Sequence, residues 1–123
     1  MKTFTKYKLS RKEEDFEIFL EARFIGSDLN IIIYGGEAHI GAVTMAEPDE
    51  PMTTISRKNH RDEVITQMAA KYLAENLSCP VLASCGIHYP CLSQGEIKTI
   101  QKMCEELIGE IVVRIAEELQ RNC

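Results

Sequence analysis

The spacing of hydrophobic residues differs between the first and the second half of this chain. In the first half apolar and polar residues alternate, most clearly from Phe16 to Phe24, where Glu17, Glu21 and Arg23 occupy the second face. A period of two predicts a β-strand with one buried and one solvated face. From about residue 61 apolar residues recur every three or four positions, which predicts helices.

Five strands and four turns account for the first half of the chain. Turn signals occur at residues 11–15, which are charged, at Gly26-Ser27-Asp28, at Gly35-Gly36 and at the proline-containing residues 47–51. Gly-Gly between two β-rich runs is typical of a tight hairpin, so we expect Gly35-Gly36 to join neighbouring strands of an antiparallel meander. The predicted strands span residues 3–9, 16–24, 29–34, 38–46 and 52–56.

The strand predicted at residues 29–34 is apolar on both faces. Ile31, Ile32 and Ile33 follow one another without an intervening polar residue. Such a run is typical of a central strand that is covered on both sides. The strand at residues 3–9 carries lysines on its second face, which suits a sheet edge.

The second half predicts a helix, a short buried strand and a long final helix. Asp62 and Glu63 fall in the first turn of the first helix, where the helix dipole favours negative charge. Ser93 and Glu96 have the spacing of a capping box, so the last helix should begin at Ser93 and continue to about Gln120. The predicted elements are residues 61–76, 79–85 and 93–120, with a loop at residues 86–92.

This order of elements predicts a single α+β domain, residues 1–123, with the helices packed on one face of the sheet. A final helix of this length would be about 40 Å long, more than one small sheet needs. Two interpretations of its apolar stripe remain open. The helix either crosses a curved sheet of its own domain, or its C-terminal part packs on a partner subunit.

Charge, hydropathy and cysteine content narrow the class of protein. A formal charge of −5 with interspersed acids and bases argues against a general nucleic-acid binder. No apolar run approaches the ~20 residues of a membrane span, and no export signal is visible, so we expect a cytoplasmic protein. Five cysteines, an odd number, are then interpreted as reduced thiols.

His39 follows the Gly35-Gly36 turn after two residues. Glycines allow a ligand to approach the backbone closely, so His39 and the N–H groups of the turn could bind an anion. The alternative is an ordinary hairpin beside a strand histidine that bonds a neighbouring backbone group.

A basic cluster at residues 57–61 precedes the first helix and includes Arg57 and His60. Guanidinium and imidazole donors next to a helix N-terminus would suit a phosphate. A solvated loop, with Asn59 as the helix cap, fits the same residues.

The segment Gly86-Ile87-His88-Tyr89-Pro90 lies between the buried strand and the capped helix. His88 could bind an anion at that helix start, and Tyr89 could stack on a flat ring. Alternatively, Tyr89 closes one end of the core and His88 faces solvent.

Several common sites are not indicated by the sequence. Cys79, Cys85 and Cys91 are spaced by six and form no CxxC pair, so they do not resemble a zinc site. The sequence has no GxSxG motif, Walker-A loop or dinucleotide fingerprint. We therefore expect no catalytic residue and no metal.

Four features in order resemble one known family. They are Gly35-Gly36 with the run from His39 to Val43, His60 before a helix, Gly86-Ile87-His88, and Glu96-Ile97 at the start of the last helix. They resemble the prenylated-flavin chaperones typified by the D subunit of gallate decarboxylase. That family's fold is similar to small proteasome-assembly chaperones, which often form dimers.

The resemblance implies a non-catalytic protein that delivers or holds prenylated FMN for an aromatic-acid decarboxylase, and a homodimer. The alternative is a chaperone or subunit of a decarboxylase complex that binds protein only, and a small histidine-dependent enzyme is a third possibility. With the candidate residues above, the expected cofactor-binding set is Gly35, Gly36, His39, Arg57, His60, His88 and Tyr89.

Overall fold

Within the part of the chain that the structure describes, five strands precede the first helix and a sixth lies between the two helices. The computed structural model describes residues 6–58 and 61–121. The elements are β1 (Lys6–Glu13), β2 (Phe16–Ile25), β3 (Asp28–Gly36), β4 (Ala42–Ala46), β5 (Thr53–Ser56), α1 (Glu63–Leu77), β6 (Val81–His88) and α2 (Gln94–Arg121). The predicted α+β class and the order of strands and helices are confirmed.

The sheet order β1-β2-β3-β6-β4-β5 differs from a simple meander. Strand β6 lies between β3 and β4, parallel to the first and antiparallel to the second. The predicted Gly35-Gly36 hairpin is therefore wrong. Both glycines belong to β3, where they pair with Ile87 and His88 of β6 instead of forming a turn.

Three other predicted boundaries also differ from the structure. Residues 86–88 were expected in a loop but extend β6, because they pair with the last residues of β3. Strand β4 begins at Ala42 rather than at residue 38, because residues 37–41 cross the end of β6. The charged segment 11–15 forms a turn only at Glu14 and Asp15, because Arg11 to Glu13 continue the β1–β2 ladder.

Strands β1, β2, β3, β4 and β6 share one buried face, and both helices pack on it. Phe16, Ile18, Leu20, Ala22 and Phe24 of β2 are buried, as the alternation predicts. Helix α1 covers β4, β5 and β6, while α2 covers β1 and β2 and contacts α1. The expected placement of the helices on one face is confirmed.

The apolar stripe of α2 belongs to the core of its own domain. Met103, Leu107, Ile111 and Ile115 are fully buried, and Leu119 packs against the same core. Of the two interpretations of this helix, the structure supports the one in which it crosses its own sheet. Neither described helix combines the length and the apolar composition of a membrane span.

The capping box at the start of α2 is confirmed. The Ser93 Oγ accepts the Glu96 N–H at 3.1 Å, and Glu96 Oε1 accepts the Ser93 N–H at 2.9 Å. Each bond satisfies a backbone donor that the helix leaves without an internal partner.

We predict that Ser93→Ala lowers the free energy of unfolding by about 1 kcal/mol, because one capping bond is lost. Urea denaturation should show a lower midpoint with an unchanged slope. Glu96→Gln is the control, because glutamine keeps the capping-box pattern and should change stability much less. Equal midpoints for the two variants would contradict a role for the cap.

Candidate functional site

A cavity of about 690 Å³ lies beyond the carboxyl ends of the parallel strands β3 and β6. Ligand pockets in proteins commonly measure about 300–1,000 Å³. Parallel strands end at the same sheet edge, so the segments that follow β3 and β6 meet there, and the N-terminal residues of both helices border the space. This is the position where open α/β sheets commonly bind ligands.

The cavity has an apolar wall and a polar rim. The wall is built by Val64, Ile65, Ile87, Leu92, Ile97 and Ile100. The rim is built by His39, Arg61, Asp62, His88, Gln94, Lys98 and Gln101. Such a combination suits a ligand that has an apolar body and an anionic group.

Asp62 connects three parts of the rim. Its Oδ1 accepts the Ile87 N–H at 3.1 Å and the Cys85 thiol at 3.7 Å. Its Oδ2 lies 3.4 Å from Nε2 of His39. Although Asp62 is the N-cap residue of α1, its carboxylate makes no capping bond to that helix. It therefore joins the start of α1 to β6 and to the His39 loop.

The His39 loop, residues 37–41, lies close against β6. The Glu37 N–H donates to the His88 carbonyl at 2.9 Å, and the Gly41 N–H donates to the Cys85 carbonyl at 2.8 Å. A Cβ atom at Gly41 would lie 1.8 Å from Oδ2 of Asp62. A Cβ atom at Gly86 would lie 1.5 Å from the His39 carbonyl oxygen. Only glycine permits these two approaches, so both residues position the loop.

His39 is held at the rim by contacts on both ring nitrogens. Nδ1 lies 3.0 Å from the Glu37 carbonyl oxygen, to which it can donate a hydrogen bond. Nε2 faces Asp62, and about a fifth of the side chain remains exposed. The ring is therefore oriented by the loop itself and by the first residues of α1.

The structure brings some of the predicted site residues together. His39 and His88 both line the cavity, and with Glu37 and Ala38 they also line a smaller adjoining hollow. Gly35 and Gly36 lie beside the end of β6. His60 lies outside the described residues.

Arg57 and Tyr89 make contacts away from the cavity wall. An Arg57 Nη1–H donates to the Ile40 carbonyl at 3.0 Å, which attaches β5 to the loop that carries His39. The Tyr89 hydroxyl donates to the Glu17 carbonyl and accepts the Glu17 N–H, each at 3.0 Å. Its ring meets Phe16 edge-on at 4.9 Å. A cofactor-binding role for either residue remains a prediction.

The sequence interpretation missed the side of the cavity that α2 provides. Gln94, Ile97, Lys98 and Gln101 line the space and recur at spacings of three and four. Residues at these spacings share one face of a helix. The capping box placed the helix start correctly, so this face could have been identified. The bridging role of Asp62 could not, because it depends on where β6 inserts.

The buried thiols of Cys85 and Cys104 lie near Asp62. Burial raises the pKa of Cys104 to about 12, and nearby Asp62 acts in the same direction. Burial also raises the pKa of Cys85, with further contributions from Cys104 and Asp62. Both thiols stay protonated at neutral pH, so they are poor nucleophiles.

Comparison with known proteins gives one family and one fold. The family model of the prenylated flavin chaperone LpdD-like domain matches residues 12–116. A crystal structure of a chaperone complex for yeast 20S proteasome assembly matches with a TM-score of 0.52 and 12% identity, over 94% of this chain and 96% of that chain. At this identity the similarity concerns the fold alone. No curated protein matches the chain.

We predict that Asp62→Ala destabilises the protein by about 1–3 kcal/mol, because the Ile87 N–H loses its acceptor in a part-buried position. Amide hydrogen exchange should accelerate at Ile87 more than in the middle of α2. Glu75→Ala, which removes an exposed carboxylate from the same helix, is the control. Unchanged exchange at Ile87 would contradict the bridging role.

We predict that iodoacetamide at about pH 8 modifies exposed Cys91 in the native protein and leaves Cys85 and Cys104 unmodified, because protonated thiols react slowly. All three should react in concentrated guanidinium chloride. Peptide mapping by mass spectrometry separates them from Cys123, which lies outside the described residues. Equal native rates at Cys91 and Cys104 would contradict the prediction.

Proposed function

Because the chain belongs to the prenylated flavin chaperone LpdD-like family, we propose that its cavity binds prenylated FMN. The protein would hold this cofactor for an aromatic-acid decarboxylase without catalysing a reaction itself. The observation that carries the proposal is the cavity described above, whose apolar wall faces a rim with basic side chains beside two helix starts.

The phosphate of the cofactor would bind at the rim. Lys98 and Arg61 provide cationic donors there, and His88 provides ring nitrogens. His39 lies beside them, with its own ring nitrogens directed at the Glu37 carbonyl and at Asp62. The N-terminal turns of α1 and α2 border the same space and carry the positive ends of the helix dipoles. Asp62 also lines this rim, and the two hydrogen bonds that its carboxylate accepts offset part of its negative charge.

The ring system would lie against the apolar wall. Ile65 and Ile100 form the buried base of this wall, and Ile97 is half-buried above it. Covering exposed aliphatic surface contributes about 25 cal/mol per Å². The carbon atoms that prenylation adds to a flavin enlarge the apolar surface, so the wall should favour prenylated FMN over FMN.

No catalytic residue is part of the proposal. Two groups near the cavity that could act as a base or nucleophile, Asp62 and Cys85, are held in structural contacts. Asp62 is bonded to β6, and the Cys85 thiol donates to Asp62. These arrangements support holding a ligand rather than transforming it.

We predict that wild-type protein binds prenylated FMN in titration calorimetry and that Lys98→Ala weakens binding about 10- to 100-fold. A hydrogen bond to a charged group contributes about 1.5–3 kcal/mol, and each 1.4 kcal/mol is tenfold in affinity. Lys102→Ala is the matched control, because Lys102 lies one turn further along α2 and does not line the cavity.

Two results would count against the proposal. One is the absence of heat from prenylated FMN with the wild-type protein, and the other is an equal loss of affinity in both lysine variants. A second measurement tests delivery: wild-type protein loaded with prenylated FMN should activate a cofactor-free aromatic-acid decarboxylase, and Lys98→Ala protein should do so less well.

A chaperone that binds protein only is the second candidate function. The reason first given for it, an exposed apolar end of the last helix, no longer holds because that stripe is buried. A different observation supports it, namely exposed aliphatic side chains on the sheet face that the helices leave uncovered. Binding of a decarboxylase by protein that binds no flavin in calorimetry would favour this function.

A further inference from the structure

The surface that α2 presents to the cavity combines an apolar row and a polar row of side chains. Ile97 and Ile100 belong to the apolar wall. Gln94, Lys98 and Gln101 form the polar row, which also lines the cavity. Spacings of four and three residues keep these three side chains on one side of the helix. A ligand that covers the apolar wall would therefore meet the polar row along its margin.

The polar row is not used by the fold. Within the part of the chain that the structure describes, the side chains of Gln94, Lys98 and Gln101 make neither a hydrogen bond nor an ion pair to another residue. By contrast, the carboxamide of Gln67 on α1 donates to the Thr54 hydroxyl at 3.1 Å. The row thus presents one ammonium group and two carboxamides to whatever fills the cavity.

Gln101 is the member of this row that lies furthest from the start of α2. It follows the buried Ile100 and is itself only half-exposed. A carboxamide has one acceptor oxygen and two N–H donors, and a part-buried polar group without a protein partner is satisfied by water or by a ligand. The Gln101 side chain is therefore matched to a ligand edge that has a donor next to an acceptor.

We infer that Gln101 recognises the imide edge of the flavin ring, an inference that rests on the proposed binding of prenylated FMN. The pyrimidinedione part of a flavin has an N3–H donor between two carbonyl acceptors, and prenylation leaves this imide in place. A carboxamide complements the edge, because its oxygen accepts the N3–H while its own N–H donates to a neighbouring carbonyl.

The direction of α2 assigns the two ends of the ligand. The N-terminal turn carries the positive end of the helix dipole, and side chains tilt toward that end, so the Lys98 ammonium reaches back to it. The phosphate therefore belongs near Gln94. Gln101 follows Gln94 by two turns, about 10 Å along the axis at 1.5 Å per residue. This distance is comparable with the length of an extended ribityl phosphate, which separates the phosphate from the ring.

The contact would restrict the class of ring that the cavity accepts. A ring with an imide edge satisfies Gln101, whereas an apolar ring of the same size would cover the carboxamide and leave it without a partner. Sites that bond an N–H group discriminate strongly against analogues that lack it. Recognition of the imide by Gln101 is thus separate from recognition of the prenyl carbons by the apolar wall.

The test compares prenylated FMN with the same cofactor methylated at N3, by titration calorimetry. Methylation removes the donor of the imide and keeps the phosphate, so the wild-type protein should bind the methylated form about 10-fold more weakly. Gln101→Met keeps the length of the side chain and removes its N–H donors. This variant should bind prenylated FMN about 10-fold more weakly than the wild type and should bind the two ligands with nearly equal affinity.

Two control variants separate this contact from other effects. Lys98→Ala should weaken the binding of both ligands alike and keep the wild-type ratio between them, because both carry the phosphate. Gln120→Met changes an exposed glutamine near the end of α2 that does not line the cavity, so neither affinity should change. Circular dichroism and unfolding midpoints would show that each variant is folded.

Three outcomes would overturn the inference and leave the proposed function intact. They are a wild-type protein that binds both ligands equally, a Gln101→Met protein that keeps the wild-type ratio, and a Gln94→Met protein that loses the ratio in its place. A wild-type protein that does not bind prenylated FMN would overturn the proposed function and the role of Gln101 together.

Discussion

The insertion of β6 between β3 and β4 is the constraint on which the rest of the structure depends. Because β6 runs parallel to β3, both strands end at the same edge, and the chain must leave that edge through two separate connections. One connection carries His39 across the end of β6, and the other leads from His88 into α2. The cavity exists because these connections and the two helix starts surround the ends of two strands. A simple meander would have placed the same residues along a hairpin, with no common space between them.

Buried polar contacts hold α1 in its place above the inserted strand. At one end, Asp62 bonds the Ile87 N–H and faces His39. Further along, the fully buried hydroxyls of Thr44 and Thr66 are 2.8 Å apart and join β4 to α1, and Thr66 also donates to the Glu63 carbonyl. Apolar packing is less directional than hydrogen bonding. Buried polar groups must keep their partners, so they select one position of α1 and with it one shape of the cavity.

The sequence predicted features that depend on neighbouring residues and missed features that depend on distant pairing. The alternation in β2 and the capping box at Ser93 are local, and both are observed. Gly35-Gly36 has the composition of a hairpin turn, but pairing with β6, which lies about fifty residues later in the chain, determines its conformation. The histidines were recognised by type, yet only the topology shows that His39 and His88 line one cavity. Aspartate is a common residue at the start of a helix. The neighbouring sequence therefore does not indicate that the Asp62 carboxylate bonds to β6.

Strand β3 carries apolar residues on both faces of the sheet. Its three consecutive isoleucines are typical of a strand that is covered on both sides. In the structure Ile31 and Ile33 are buried under the helices, whereas Ile32 on the other face is 41% exposed. Leu82 and Met45, on the next two strands, repeat this arrangement. Solvated sheet faces usually carry polar residues, as the β1 and β2 side of this face does. The three strands thus carry aliphatic residues on both faces, as in a sheet that is covered on both sides. In the described chain the two helices cover only one of these faces.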